Sequence, residues 1–190
     1  MASTGSKSVL ILGGNGKTAK ALTVLLARKQ HKIYSVVRQE SQASAISSLG
    51  AQPIIKDLEK ATVEELSRII DETKSEIIVW AAGAGYGDPS APERVDHQAA
   101  VRTYDAAAQS GKGKRVIVIS ALDVRDRNKA VPDWYNDADK AGSERLWKVL
   151  DPYMHAKLAA DKDLVTRYAE RELKWTIGRL MRAGYILERL

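Results

Sequence analysis

The stretch Val9-Leu10-Ile11-Leu12-Gly13-Gly14-Asn15-Gly16-Lys17-Thr18-Ala19 decides the fold of this 190-residue chain. Its apolar first part has the length of a buried strand in a parallel sheet, and its second part opens a helix. The glycines between them allow a tight turn, after which the free N–H groups and the positive dipole end of the helix face an anion. We therefore expect a strand, a glycine turn and a helix that together bind a phosphate-containing ligand.

Small residues in this stretch follow the spacing Gly13-x-x-Gly16-x-x-Ala19, which is typical of folds that bind a dinucleotide. Gly13 would make the turn, Gly16 would let a pyrophosphate approach the backbone, and Ala19 would let the helix pack closely on the sheet. The other residues of the turn belong to the same candidate pyrophosphate site: Gly14, Asn15, Lys17 and Thr18. Such a turn can also be purely structural, so the binding interpretation depends on the rest of the chain.

A second phosphate motif competes for the same residues, because Gly16-Lys17-Thr18 also resembles the end of a P-loop. A P-loop requires a glycine five residues before the glycine of that triplet, and Ile11 stands there. The loop is therefore too short to wrap a triphosphate, and we do not expect nucleoside triphosphate hydrolysis.

Outward from this stretch, short apolar runs alternate with helical patterns, an order that predicts a parallel sheet with helices on both faces. The predicted strands are Ser8–Leu12, Lys32–Val37, Gln52–Ile55, Glu76–Trp80, Arg115–Ile119 and Lys174–Gly178. The predicted helices are Lys17–Lys29, Gln42–Leu49, Val63–Glu72, Arg94–Ser110 and Pro152–Glu170. We expect an α/β fold with a doubly wound, Rossmann-like sheet and a short C-terminal segment. It would form one domain over residues 1–190, with residues 1–7 disordered.

Composition excludes several other classes of protein. The chain is 44% hydrophobic and 28% charged, with no long apolar run and no signal sequence, so we expect a cytoplasmic protein that binds no membrane. It has no cysteine, which excludes disulfides and thiolate chemistry. His31, His97 and His155 are scattered, so we expect no metal site. The net charge is +6, but basic and acidic residues are interleaved, which does not indicate nucleic-acid binding.

The end of the second predicted strand bears on the choice of dinucleotide. A site for NAD needs a carboxylate there to accept the ribose hydroxyls, and this sequence has Arg38 followed by Gln39. A guanidinium suits a 2′-phosphate, so NADP(H) is the preferred expectation and NAD(H) stays open. Lys17 in the glycine turn is a candidate for a second cation near that phosphate. The alternative is that Arg38 is an ordinary solvated arginine.

Tyr153 and Lys157 are four residues apart in a predicted helix and therefore lie on one face of it. A cation close to a phenol stabilises the phenolate, which would make Tyr153 a general acid or base. Ser120 ends the fifth predicted strand and would face the same crevice, where it could hold a substrate oxygen. The alternative is a structural helix in which the tyrosine packs and Lys157 pairs with Asp161.

With these features together, the chain resembles the short-chain dehydrogenase/reductase superfamily, in particular its atypical NmrA-like and flavin-reductase-like NAD(P)-binding members. Beyond the glycine turn, the resemblance rests on four features. They are Asp57-Leu58, Ala81-Ala82-Gly83, Ser120 in Val-Ile-Ser-Ala, and Tyr153-x-x-x-Lys157. It implies that Asp57 and Leu58 contact the adenine and that Ala81, Ala82 and Gly83 lie beside the cofactor. It also implies catalytic roles for Ser120, Tyr153 and Lys157.

The chain departs from this family pattern at three places. Residues 123–150 make the distance from Ser120 to Tyr153 longer than usual, and their polar first part, 123–137, suggests a lid or a partner surface. The stretch Val95-Asp96-His97-Gln98 lacks the usual asparagine. After Gly178-Arg179 the usual Pro-Gly is missing, so the substrate-binding part is expected to be short or missing.

The expected function is that of an NADP(H)-dependent oxidoreductase of the atypical short-chain type. Its substrate would be a small carbonyl compound, a quinone or a similar molecule that the sequence does not identify. The alternative is a non-catalytic, redox-sensing regulator that binds NAD(P) and contacts a protein partner, as NmrA-like relatives allow. A homodimer is compatible with either hypothesis.

Overall fold

The computed structural model describes residues 5–85, 87–113, 115–168 and 173–180. Parts of three predictions therefore fall outside the described residues: the disorder of residues 1–7 for residues 1–4, the end of the helix predicted over 152–170, and the short C-terminal segment for residues 181–190. Within the described lead-in, the Ser6 hydroxyl donates to the Gln30 carbonyl at 2.8 Å. Lys7 pairs with Glu76, also at 2.8 Å.

Six parallel strands form one sheet in the order β3-β2-β1-β4-β5-β6. The strands are β1 (Ser8–Leu12), β2 (Lys32–Val37), β3 (Gln52–Ile55), β4 (Ile77–Trp80), β5 (Arg115–Ala121) and β6 (Lys174–Leu180). The prediction of a doubly wound parallel sheet is confirmed, and each predicted strand is present with its ends shifted by at most a few residues.

Helices connect the strands and cover both faces of the sheet. The α-helices are α1 (Lys17–Arg28), α2 (Ala43–Ser48), α3 (Val63–Glu72), α4 (Ala100–Gln109), α5 (Asp137–Val149) and α6 (Asp151–Arg167). A 3₁₀ turn, Glu40–Gln42, precedes α2, and a π-helical segment, Glu93–Ala99, runs into α4. The sequence did not predict α5, whose start is fixed by a reciprocal capping interaction between Asn136 and Asp139.

Side chains of β1 point alternately to the two faces of the sheet, and both faces are buried. Leu10 and Leu12 pack into a cluster with α3, α4 and α6. Val9 and Ile11 pack into a second cluster, which includes side chains of α1 and α2. Because helices cover both faces, every position of the strand interior is apolar, as is usual for a parallel sheet.

The order of the strands reverses direction at β1 and β4. β1 is flanked by β2 on one side and by β4 on the other. The chain continues from β1 to β2 and from β4 to β5, and these two connections run toward opposite edges of the sheet. Loops at the carboxyl ends of β1 and β4 therefore diverge and leave a crevice between them. The glycine turn follows β1 at this point.

Candidate dinucleotide site and active site

The glycine turn after β1 is packed too closely for larger residues. Gly13 has φ of +86°, and a Cβ at this position would overlap the Cα of Ala82 and lie 2.5 Å from its nitrogen. Gly14 donates its N–H to the Val36 carbonyl at 2.8 Å, and a Cβ here would overlap the Ser35 hydroxyl. The turn is thus fitted between the ends of β2 and β4, and Gly14 as well as Gly13 is needed to form it.

The first turn of α1 is arranged to face an anion. Gly16 caps the helix without a side-chain hydrogen bond, and no acidic residue lies in the first turn. Lys20 makes the first intrahelical bond, to the Gly16 carbonyl at 2.9 Å, so the preceding N–H groups of the helix point out of its end. Ala19 is buried against the sheet. The helix dipole and these N–H groups favour a negatively charged ligand.

A cavity of about 470 Å³ lies at this edge of the sheet. Eight of the predicted cofactor residues line it: Gly13, Asn15, Gly16, Arg38, Leu58, Ala81, Ala82 and Gly83. Sequence reasoning missed the others that line it: Val36, Val37, Gln39, Gln42, Lys56, Gly85 and Val95. Four predicted cofactor residues are not part of its lining: Gly14, Lys17, Thr18 and Asp57. Cavities of this size are typical of small-molecule sites.

Arg38 stands at the cavity rim, where β2 ends. The Gln42 side chain accepts hydrogen bonds from the backbone N–H groups of Arg38, at 3.1 Å, and Gln39, at 3.3 Å, which fixes the turn. The Arg38 side chain is 58% exposed, and its Nε lies 3.9 Å from Asp57 Oδ1. The same Asp57 oxygen accepts the N–H of Glu59 at 3.1 Å. Asp57 therefore faces Arg38 and its own loop, and Arg38 has charge available for a ligand.

The structure brings Tyr153 and Lys157 together on α6. The Lys157 ammonium lies 5.7 Å from the centre of the Tyr153 ring. Lys157 is buried, donates to the Ile119 carbonyl at 3.2 Å and forms an ion pair with Asp96 at 3.0 Å. The lysine therefore pairs with Asp96 and not with Asp161, the partner in the structural alternative.

Asp96 is a site residue that sequence reasoning missed. It lies in the π-helical segment with a side chain that is 0% exposed. Its second oxygen accepts the N–H of Ala84 at 2.8 Å, and its first lies where a Cβ on Gly83 would be 3.1 Å away. Asp96 thus joins Lys157 to the cavity wall after β4. The only sequence signal was a carboxylate in an otherwise apolar helix face.

Ser120 is bound by the same face of α6, because Asp161 lies four residues beyond Lys157. Its hydroxyl is buried and donates to Asp161 at 2.9 Å, and the guanidinium of Arg179 lies 3.4 Å from the same carboxylate oxygen. Burial raises the pKa of Asp161 despite this hydrogen bond and the nearby Arg179 and Lys157 charges. Ser120 thus joins β5 to α6, and its hydroxyl proton is directed at Asp161.

Residues 123–150 are held by a buried carboxylate. Asp123 pairs with Arg125 at 3.0 Å and accepts hydrogen bonds from Tyr135 at 2.7 Å, Ser143 at 2.6 Å and Trp147 at 3.0 Å. Burial works against ionisation, but these hydrogen bonds outweigh it and hold the pKa of Asp123 below its usual range. The first part of this segment is a loop, as predicted, and the second part is α5.

The same segment forms one side of the region around Tyr153. Val124, Trp147 and Met154 make a small buried cluster against which Tyr153 packs. Trp134, by contrast, is 77% exposed and stacks edge-on with Tyr135 at 4.5 Å between ring centres. The segment therefore supports Tyr153 through this cluster.

Neither a metal site nor a membrane span is found in the described part of the chain. No group of three or more histidine or acidic side chains there is arranged to hold a metal ion. No helix among the described residues is both long and apolar enough to cross a membrane.

Comparison with known proteins decides the family. The profile of a family described as NAD(P)H-binding matches the chain from residue 13 to residue 183. This range begins at the glycine turn and includes the cavity and α6. The chain belongs to this family. The resemblance to atypical short-chain dehydrogenase/reductase proteins is confirmed by this match.

Two curated relatives extend the comparison. The chain is 34% identical over 171 residues to a UPF0659 protein of Schizosaccharomyces pombe, which covers 90% of this chain and 68% of that protein. It is 30% identical over 159 residues to YhfK of Bacillus subtilis, an uncharacterized sugar epimerase, which covers 82% of this chain and 64% of that protein. The chain spans about two thirds of the length of these relatives.

A solved structure confirms the fold. A Bacillus halodurans protein, provisionally named an NAD-dependent epimerase/dehydratase, superposes with a TM-score of 0.70 at 25% identity. The match covers 92% of this chain and 70% of that protein. Two of these three relatives thus carry names that refer to epimerases or dehydratases.

The cavity fits the nicotinamide dinucleotide that gives the family its description. Gly13 and Gly14 leave no room for a side chain, and the open first turn of α1 faces the same space. The cavity continues from there to the end of β2 and to the loop after β4, where an elongated ligand would lie. The donors and the shape therefore suit a pyrophosphate with a group on either side.

Proposed function

We propose that the chain is an NADP(H)-dependent oxidoreductase acting on a small carbonyl compound, a quinone or a similar substrate. The observation that carries this proposal is the charge of the cavity. Its described lining includes the Arg38 guanidinium at the end of β2 and contains no carboxylate. An NAD site needs a carboxylate at this position for the ribose hydroxyls, whereas a guanidinium suits the 2′-phosphate of NADP.

The chain's own residues divide into a binding set and a reacting set. Gly13, Gly16 and the first turn of α1 would hold the pyrophosphate, and Arg38 would hold the 2′-phosphate. Leu58 would pack on the adenine side, and the backbone at 81–83 would lie beside the nicotinamide end. When bound, NADPH would supply a hydride, that is one hydrogen with both electrons, for the reduction.

Tyr153 is the proposed proton donor to the substrate oxygen. The Lys157 ammonium, 5.7 Å from the ring centre, stabilises the phenolate that remains after transfer. Asp96 holds the buried Lys157 ammonium beside the ring, because the two groups are 3.0 Å apart and both side chains are shielded from water. The Ser120 hydroxyl now donates a hydrogen bond to Asp161. To orient the substrate oxygen, it would have to break this hydrogen bond and donate to the substrate instead.

Calorimetric titration with NADPH and NADH tests the cofactor part of this proposal. We expect tighter binding of NADPH, and an Arg38→Ala variant should bind NADPH about 10-fold more weakly, with NADH nearly unaffected, because a charged hydrogen bond is lost. Arg28→Ala, an exposed arginine at the far end of α1, is the matched control. Equal affinity of the wild type for both nucleotides would contradict the NADP(H) preference.

A Tyr153→Phe variant tests the chemical part. In a screen of carbonyl compounds and quinones that follows NADPH oxidation, the wild type should turn over and the variant should lose at least about 100-fold in kcat. NADPH affinity should be unchanged in the variant. If the wild type binds NADPH but oxidises none of it, the proposed reductase activity is contradicted. If the Tyr153→Phe variant is fully active, Tyr153 is not the proton donor. The non-catalytic regulator has no specific observation in its favour among the described residues.

A further inference from the structure

We propose that Lys56 is the second cation of a 2′-phosphate subsite and acts together with Arg38. This inference rests on the proposed NADP(H) function and deepens it. The sequence favoured Lys17 as the second cation, but Lys17 opens α1 and is not part of the described cavity lining. Lys56 is part of that lining, as is Arg38.

The register of the sheet sets Lys56 beside Arg38. β2 and β3 pair in parallel with Val37 opposite Ile55, and the Lys56 N–H continues this ladder by donating to the Val37 carbonyl at 2.9 Å. Arg38 and Lys56 are the next residues on their strands. Adjacent strands are about 4.8 Å apart. Because Arg38 and Lys56 directly follow paired strand ends and both line the cavity, we place both cations at the same rim.

The Lys56 side chain is fixed in place. Its ammonium contacts Glu65 Oε1 at 2.5 Å. The other Glu65 oxygen accepts the Thr62 N–H at 3.0 Å, and the Glu65 N–H donates to the Thr62 hydroxyl at 3.2 Å, a capping box that anchors the start of α3. The hydrogen bond from Lys56 holds the pKa of Glu65 below its usual range. A lysine held in this way loses little side-chain freedom when it binds a ligand.

The ammonium keeps donors for a ligand. An ammonium has three N–H donors, and the Glu65 contact uses part of this capacity. The Lys56 side chain remains 29% exposed. A phosphate dianion at the rim would accept two parallel hydrogen bonds from the planar guanidinium of Arg38. It would also be attracted by the compact positive charge of the Lys56 ammonium. The nearest carboxylates named here are Glu65, which contacts Lys56, and Asp57, which lies 3.9 Å from Arg38; neither is part of the described cavity lining.

The test uses two ligands that differ only in the 2′-phosphate. Adenosine 2′,5′-bisphosphate and adenosine 5′-monophosphate are titrated calorimetrically into the wild type and into Lys56→Gln. We expect the wild type to prefer the bisphosphate, and the variant to bind it about 10-fold more weakly while its affinity for the monophosphate changes less than about twofold. Lys56→Arg, which keeps the charge, should retain most of the preference.

Lys60→Gln is the control, since Lys60 is an exposed cation of the same loop outside the cavity lining. If the wild type prefers the bisphosphate but Lys56→Gln keeps the full preference, the inference about Lys56 is overturned and the NADP(H) proposal stands. If the wild type shows no preference, the NADP(H) proposal itself fails. Equal weakening of both ligands in Lys56→Gln would also overturn the inference, because the loss would not depend on the 2′-phosphate.

Discussion

At the scale of single residues, Gly13 shows how one backbone position shapes the cavity. Residues with a side chain rarely adopt its φ of +86°, and a Cβ there would clash with the backbone of Ala82. A clash with backbone cannot be relieved by a rotamer change. The residue therefore sets the separation between the ends of β1 and β4, and with it the width of the site.

We expect Gly13→Ala to lower the free energy of unfolding by at least about 2 kcal/mol through overpacking and backbone strain. Urea denaturation measures this loss. Gly142→Ala is the matched control, because Gly142 lies in the interior of α5 with no atom near an added Cβ. It should raise stability by about 0.5–1 kcal/mol through helix propensity. Equal effects of the two substitutions would contradict the close approach at Gly13.

At the scale of elements, α6 is tied to the π-helical segment by two polar contacts. One is the buried ion pair of Lys157 with Asp96. The other is His97, which lies between Glu93 at 2.9 Å and Asp163 of α6 at 2.8 Å. The first contact also holds the proposed active-site lysine, so its effect on folding has to be separated from its effect on activity.

Lys157→Met should lower the free energy of unfolding by about 3–5 kcal/mol, because it leaves the Asp96 carboxylate buried without its partner. The double variant Asp96→Asn/Lys157→Met should lose less than the sum of the two single variants. A double-mutant cycle in urea gives this coupling directly. Additive losses would show that the two side chains do not act as a pair.

His97 should make stability depend on pH. Burial lowers the pKa of His97, but the hydrogen bonds to Asp163 and Glu93 outweigh it, and the pKa is raised overall. A raised pKa in the folded state favours the protonated form. The stabilising contribution is therefore complete below the unfolded value of about 6.5 and is lost as pH rises through the folded value.

The stability difference between wild type and His97→Gln should accordingly be larger at pH 5.5 than at pH 8.5. Urea denaturation of both proteins across this range tests the sign. A difference that stayed constant with pH, or that grew toward alkaline pH, would contradict the raised pKa.

At the scale of the whole molecule, the site is assembled from distant parts of one sheet. The glycine turn follows β1, Arg38 follows β2, Lys56 follows β3, and the small residues at 81–83 follow β4. Their shared edge is a consequence of parallel strands, whose carboxyl ends all point the same way. The net charge of +6 is spread over the chain, whereas Arg38 and Lys56 both line the cavity.

Most of the fold could be predicted from the sequence, and eight of the twelve predicted cofactor residues line the cavity. The strands, the glycine turn and the candidate role of Arg38 depend on local patterns that a linear sequence displays. The sequence did not predict α5, because its polar composition resembles that of a loop. The helix is held by a long-range contact, in which the indole N–H of Trp147 donates to the Asp123 carbonyl. The catalytic assignments of Ser120, Tyr153 and Lys157 stay predictions.

The sequence by itself therefore determined the order of the strands along the chain, the parallel sheet and the position of the glycine turn, since these follow from periodicity and glycine placement. Tertiary structure alone decided which side chains meet. Lys157 pairs with Asp96, Ser120 bonds to Asp161, and Lys56 pairs with Glu65. Each of these contacts joins different elements, and it depends on strand register and helix packing, which local spacing along the chain does not specify.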